Sequence, residues 1–236
     1  MQRVYHKWHS PTLGHSMELL EFGHAGLPLI VFPTSRGKFY EYEDRGMVNA
    51  VRHRLESGNL HLFCVDSVDT QSWYNYGAHP GARVWRHIQY ERYILNEVIP
   101  LVRMKNSHSR LGVTGCSFGG FHAVNIALRH PSRFTDCISM SGAYDLRNFL
   151  GGYYDENFYF NQPLDFIPNL GDHHILEQMR ALRLILATGE HDICLNDNIR
   201  LSNVLNSKAV GHWLDVWGDR TGHDWPWWQA MARKFF

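Results

Sequence analysis

The chain has 236 residues, a length at which one hydrophobic core can still serve the whole molecule, so a single domain spanning 1–236 is the expectation. Hydrophobic residues make up 44% and charged residues 19%, which is globular usage and argues against disorder. Lys+Arg and Asp+Glu are equal at 23 each, so no cationic surplus exists to track the phosphates of a nucleic acid, and a small, largely uncharged partner fits better.

The opening stretch from Met1 to Trp8 lacks the continuous apolar core of a signal peptide, and no later run approaches the ~20 apolar residues of a membrane span. The expectation is a cytoplasmic protein with no membrane partner. Cys64, Cys116, Cys137 and Cys194 are scattered without C-x-x-C spacing, and the first three sit in or at the end of apolar runs. Buried free thiols are therefore expected instead of disulfides or a metal site.

In chain order, strands are expected near 3–9, 16–22, 28–33, 60–66, 111–116, 134–141, 182–188 and 212–217, with short apolar runs alternating with longer amphipathic ones from residue 28 onward. Too few residues separate the first two for a helical crossover, so they should pair antiparallel. Helical periodicity predicts helices near 43–56, 85–104, 118–130, 173–180, 194–206 and 226–236. In the second of these, Trp85, Ile88, Ile94, Leu95, Val98 and Leu101 fall largely on one side. Alternation of this kind implies βα units: a mostly parallel sheet of about eight strands with helices on both faces. The stretch 144–170 fits neither period and is rich in Tyr, Phe, Asn, Gly and Pro, which makes it a candidate cap-like insertion.

Gly115-Cys116-Ser117-Phe118-Gly119 reads G-x-S-x-G, and it lies between a predicted strand and a predicted helix. That placement gives the letters their weight. A sharp strand-to-helix turn lifts the Ser117 hydroxyl clear of the sheet, and the flanking glycines let neighbouring backbone pass without a Cβ clash. The helix beginning there turns its unpaired N–H groups toward the reacting centre, with Phe118 N–H as the first oxyanion donor. Cys116, one residue off the apex, would point into the fold.

Such a turn is the nucleophile elbow of an α/β-hydrolase fold, in which the triad runs Ser, acid, His along the chain. Among the chain's 16 histidines this removes all that precede Ser117. His223 lies in the loop leaving the last predicted strand, at the sheet edge where Ser117 also emerges. His212 begins that strand at the far edge, and His191 precedes the preferred acid. That acid is Asp192, on the loop after the strand 182–188, with Glu190 beside it and Asp145 as rivals. No H-E-x-x-H pattern occurs, so neither a catalytic metal nor another cofactor is expected.

The chain resembles the Putative Esterase family of α/β-hydrolases, which includes S-formylglutathione hydrolase, feruloyl esterases, enterochelin esterases and mycolyltransferases. The resemblance rests on Gly115 to Gly120 followed by Ala127 to Phe134, on Ser139-Met140-Ser141-Gly142-Ala143-Tyr144-Asp145, and on Gly222-His223-Asp224-Trp225 with Trp228. It implies a serine esterase working without cofactor. It also implies a second oxyanion donor just beyond the third strand, where Ser35 is the best match and Arg36 lies one step away. Pro33-Thr34 stands where many members have His-Gly or Ser-Gly, so the register of that donor is open.

Aromatic side chains offer a wall for an apolar, aryl or sugar-bearing ester: Trp73, Tyr74 and Tyr76 after the fourth strand, Tyr153, Tyr154, Phe158 and Tyr159 in the insertion, and Trp225, Trp227 and Trp228 near His223. Packing in the core is the competing explanation for these rings. Arg36 could bind a substrate carboxylate or pair with Glu41. The same triad also serves acyl transfer and lactone opening, and a catalytically silent binding module is the reading from another class.

Overall fold

A computed structural model describes residues 1–236. Eight strands form one sheet in the order β1-β2-β4-β3-β5-β6-β7-β8. They are β1 (Arg3–Ser10), β2 (His15–Phe22), β3 (Leu27–Phe32), β4 (Leu60–Val65), β5 (Gly112–Cys116), β6 (Asp136–Met140), β7 (Arg183–Gly189) and β8 (Trp213–Trp217). The hairpin β1–β2 is antiparallel, as its short connection requires, and β2 pairs antiparallel with β4. From β4 onward every pairing is parallel.

The central strands are apolar on both faces because both are covered. In β3, Leu29 and Val31 enter one buried cluster, and Ile30 and Phe32 enter another. The larger cluster lies under α4 (Pro80–Tyr93), α5 (Ile99–Lys105), α6 (Phe118–Arg129), α9 (His173–Arg180) and α10 (Leu195–Ser207). The smaller lies under α1 (Glu41–Asp44), α2 (Met47–Ala50), α3 (Arg52–Glu56) and α11 (Trp225–Phe235). All four cysteines are buried and free. No helix is long and apolar enough to cross a membrane.

Three expectations need correction. The helix predicted over 43–56 is the three short pieces α1 to α3, because Gly46 takes a left-handed turn at φ 72° and Val51 leaves helical geometry at φ −115° and ψ 15°. The helix predicted from 85 starts at Pro80, where proline suits the first turn and His79 Nδ1 accepts the Gly81 N–H at 3.2 Å. Its continuation passes through a π-turn, Ile94–Val98, before Pro100, which has no N–H to extend an α-helical ladder. Trp85 lies outside the apolar stripe: it is exposed, with the Arg92 guanidinium 5.0 Å from its ring.

The segment 144–170 carries two short helices, α7 (Glu156–Phe160) and α8 (Pro163–Phe166), with single 3₁₀ turns on either side. It is tied down by buried Tyr144, whose hydroxyl donates to Ser139 Oγ at 2.6 Å, and by buried Leu150 and Phe158. At the opposite side of the sheet, edge strand β8 is only half buried. Lys234 of α11 pairs there with Asp215 at 2.7 Å, and its ammonium sits 4.8 Å from the Trp213 ring and 5.3 Å from that of Trp217.

Candidate active site

Ser117 occupies the single residue between β5 and α6 at φ 54° and ψ −121°, a region side chains other than glycine's rarely adopt. Its N–H donates to Met140 O at 2.9 Å, which anchors the turn to β6. A Cβ on Gly115 would stand 2.3 Å from Gly119 C, and one on Gly119 would stand 2.4 Å from Phe32 O. The two glycines thus let β5, α6 and the end of β3 approach closely enough to expose the serine hydroxyl.

Two loops from the C-terminal ends of β7 and β8 meet this hydroxyl. Ser117 Oγ is 2.9 Å from His223 Nε2, and His223 Nδ1 is 2.8 Å from Asp192 Oδ1. The carboxylate can only accept, so Nδ1 carries the proton and Nε2 is left to accept from the serine. Asp192 Oδ1 also accepts the Cys194 N–H at 2.7 Å. Burial pushes the Asp192 carboxyl up, but hydrogen bonds from His223, Ser141 and the Cys194 N–H prevail and hold it below the usual aspartate value. The loops interlock: a Cβ on Gly189 would lie 2.1 Å from Thr221 O, and His191 N–H donates to that same oxygen at 3.0 Å.

The rival side chains have other partners. Glu190 is exposed and accepts the Arg220 N–H at 2.7 Å, bracing the loop that carries His223. Asp145 faces Arg147 at 2.7 Å and Arg200 at 2.9 Å. His212 bonds Ser202 Oγ and Val210 O, and His191 is solvent-facing beside Glu190. Cys116 points into the smaller cluster, where burial raises its thiol pKa well above the ordinary value.

Asp192, Cys194 and His223 each offer a ligand atom within 4.8 Å of the others. As a metal donor set they are poor, because Asp192 and His223 already bond each other and burial pushes the Cys194 thiol up to about 12.

At the oxyanion side, Phe118 N–H opens α6. In the loop after β3, Thr34 N–H donates to Glu41 Oε2 at 2.8 Å, Arg36 N–H to Asp69 Oδ2 at 3.0 Å and Gly37 N–H to Thr34 O at 2.9 Å. Of the four N–H groups from Thr34 to Gly37, that of Ser35 alone has no acceptor within the chain. Its hydroxyl accepts from Tyr74 at 2.7 Å.

Of the proposed wall, Trp73 must be corrected. It is fully buried, its ring meeting His87, Phe121 and Phe158 at 5.0, 5.9 and 6.2 Å, so it belongs to the core. Tyr76 is 66% exposed, with Arg83 over its ring. Tyr153 is half-buried and donates to Asp155 at 2.8 Å. Trp225 is half-buried against Trp228, whose ring stands edge-on to His223 at 4.9 Å. Arg36 is exposed with its guanidinium 5.2 Å from the Tyr74 ring, while Glu41 is engaged by Thr34. Phe149, from the segment 144–170, packs 5.5 Å from Phe118 and 5.1 Å from Tyr74.

Residues 64–233, well over half of the chain and running from the end of β4 through most of α11, match the family described as "Putative esterase". The chain belongs to this esterase family. It is thereby a carboxylic ester hydrolase acting on small-molecule esters. Among solved structures, the esterase is similar to a ferulic acid esterase at 17% identity, covering 99% of this chain and 96% of that one with a TM-score of 0.79. It is similar to an S-formylglutathione hydrolase from Agrobacterium tumefaciens at 17% identity, covering 98% and 92% with a TM-score of 0.75. A fluorophosphonate-binding serine hydrolase of Staphylococcus aureus aligns at 18% identity, 99% and 96% coverage and a TM-score of 0.71. At these identities the likeness is one of fold, the α/β-hydrolase fold. No curated protein gives a significant sequence match.

Sequence reasoning missed Ser141, Asp69 and Glu41. Ser141 lay within a quoted motif block, and its φ of 55° marks it in three dimensions only. Asp69 reaches the loop after β3 from beyond β4 and Glu41 from the start of α1, with no motif to signal either.

Proposed function

We propose that the esterase works through Ser117 as nucleophile, His223 as general base and Asp192 as the acid that fixes the imidazole. The relay of 2.9 Å and 2.8 Å hydrogen bonds from hydroxyl to imidazole to carboxylate carries this reading. Ser117 Oγ attacks the ester carbonyl carbon while its proton passes to His223 Nε2. The carbonyl oxygen becomes an oxyanion that accepts from Phe118 N–H and Ser35 N–H. Collapse breaks the bond to the alcohol oxygen, which takes the proton from Nε2, leaving an acyl-enzyme. Water then repeats the sequence, giving its proton to His223 and releasing the acid and free Ser117.

The chain acts in this proposal as one α/β-hydrolase domain, with 144–170 as a cap whose Phe149 borders the Phe118 side of the site. Exposed Tyr76 and half-buried Tyr74 and Trp225 favour an aryl or otherwise apolar ester, in keeping with the name of the ferulic acid esterase it is similar to. Fluorophosphonate labelling with peptide mapping tests the triad: label on Ser117 is expected, and label elsewhere with Ser117→Ala as active as wild type would overturn it. Product analysis with competing alcohol and thiol acceptors separates hydrolysis from acyl transfer.

A further inference from the structure

The loop that bears the proposed second oxyanion donor is held from both sides by carboxylates that never touch the reacting atoms. On one side Glu41 accepts from Thr34 N–H and from Thr34 Oγ1, each at 2.8 Å. Gly37 makes room for it, since a Cβ there would lie 2.6 Å from Glu41 Oε2. On the other side Asp69 Oδ2 accepts the Arg36 N–H at 3.0 Å. Asp69 Oδ1 is 3.0 Å from His122 Nε2, and both side chains are buried. His122 sits on α6, five residues after the nucleophile, with its ring 5.1 Å from Phe118 and 5.6 Å from Phe32.

Together these contacts bracket one peptide. Without the two carboxylates, the N–H groups of Thr34 and Arg36 would have no partners within the chain, and nothing but water would fix the orientation of the loop's peptides. Arg36 already holds a left-handed φ of 58°, a conformation that persists only where surrounding contacts impose it. The Asp69–His122 contact further ties the loop to the helix that supplies the first donor.

We infer that Asp69, fixed by His122, and Glu41 are positioning residues that hold the Ser35 N–H ready for the oxyanion. Resting on the triad reading, this assigns them a part in transition-state stabilisation and none in substrate binding.

The test compares Asp69→Ala, Asp69→Asn and Glu41→Ala with wild type on a short-chain aryl ester, alongside inhibition by a trifluoromethyl ketone that forms a tetrahedral adduct on serine. Loss of one donor's alignment should lower kcat by about ten- to a hundredfold at nearly constant KM, a little below the effect of deleting a donor outright. Inhibition by the ketone should weaken in proportion, and the pH profile of kcat should be unchanged because the His223 imidazole keeps its partners. Asp69→Asn keeps an oxygen for the Arg36 N–H but sets its amide donor against His122 Nε2, which must move its proton to Nδ1, so it should recover part of the loss. If Asp69→Ala does not fold, Glu41→Ala, on the half-buried side, must show the same split. Wild type labelled at Ser117 by a fluorophosphonate, with variants that keep kcat or change KM alone, overturns the inference and leaves the triad standing. Wild type unlabelled at Ser117 removes both.

Discussion

The indole N–H of Trp228 donates to Ser141 Oγ across 2.8 Å. An indole nitrogen cannot accept, so the serine keeps its own hydrogen, and Ser141 is among the groups that hold the Asp192 carboxyl below its usual value. Ser141→Ala leaves a buried indole donor and weakens the support of Asp192. A loss of about 1–3 kcal/mol in urea unfolding is expected at neutral pH. The carboxylate contribution has a definite sign. The folded pKa lies below the unfolded one, so that part is complete above about pH 4 and disappears as pH falls through the folded value. The gap between wild type and variant should therefore narrow in acid, as urea titrations at several pH values would record.

Removing members of the proposed triad should have unequal effects. Ser117→Ala should lower kcat on an aryl ester by roughly a millionfold, and Asp192→Asn by about ten-thousandfold through loss of the correct imidazole tautomer. Glu190→Gln should change kcat little, because Glu190 braces a loop through Arg220 N–H, a bond the amide oxygen preserves. Stopped assays with purified variants, each confirmed folded by circular dichroism, measure all three. A Glu190→Gln enzyme as impaired as Asp192→Asn would reassign the acid.

Gly119→Ala tests the close approach of α6 to β3. Its new methyl would meet Phe32 O at 2.4 Å and Pro33 O at 2.6 Å, both backbone atoms that cannot swing aside. A destabilisation of about 3 kcal/mol is expected, at the upper end for overpacked sites, together with loss of serine labelling. Thermal unfolding followed by calorimetry reads the first effect. Gly211→Ala, where a Cβ meets nothing within 4 Å, is the control.

His87 gives the enzyme a pH-dependent stability away from the site. It is buried beside His122 and Arg129; burial first, then these two neighbours, lowers its pKa well below the ordinary histidine value. Below about pH 6.5 the unfolded chain therefore binds a proton there that the folded chain refuses, so stability falls as pH drops. One such proton corresponds to a slope of about 1.4 kcal/mol per pH unit. His87→Gln should flatten unfolding free energy between roughly pH 5 and 6.5 relative to wild type.

All eight strands were legible within a residue or two: β3 to β7 as short apolar runs buried on both faces and closed by turn chemistry, and the edge strand β1 by the alternation of its half-buried and exposed side chains. The G-x-S-x-G turn was legible because its glycines answer a local steric demand. The break at Gly46 was not, since its left-handed turn depends on how α2 and α11 pack, with Gln229 3.2 Å from where a Cβ would be. Trp73 was misjudged because nothing local distinguishes a tryptophan facing a cleft from one facing a core; its burial follows from α6 and the segment 144–170 closing over it. Asp69 and Glu41 were invisible for a related reason: what they do depends on backbone amides, 33 residues away for Asp69 and seven for Glu41, and amides leave no mark in a sequence.

Edge strand β8 presents tryptophans and open backbone groups, the combination that invites a neighbouring molecule to add a strand. The Lys234 ammonium, paired with Asp215 and lying over the Trp213 and Trp217 rings, packs the face of the strand on which α11 lies. That contact shields one face of β8 and leaves its outer backbone edge without a partner strand.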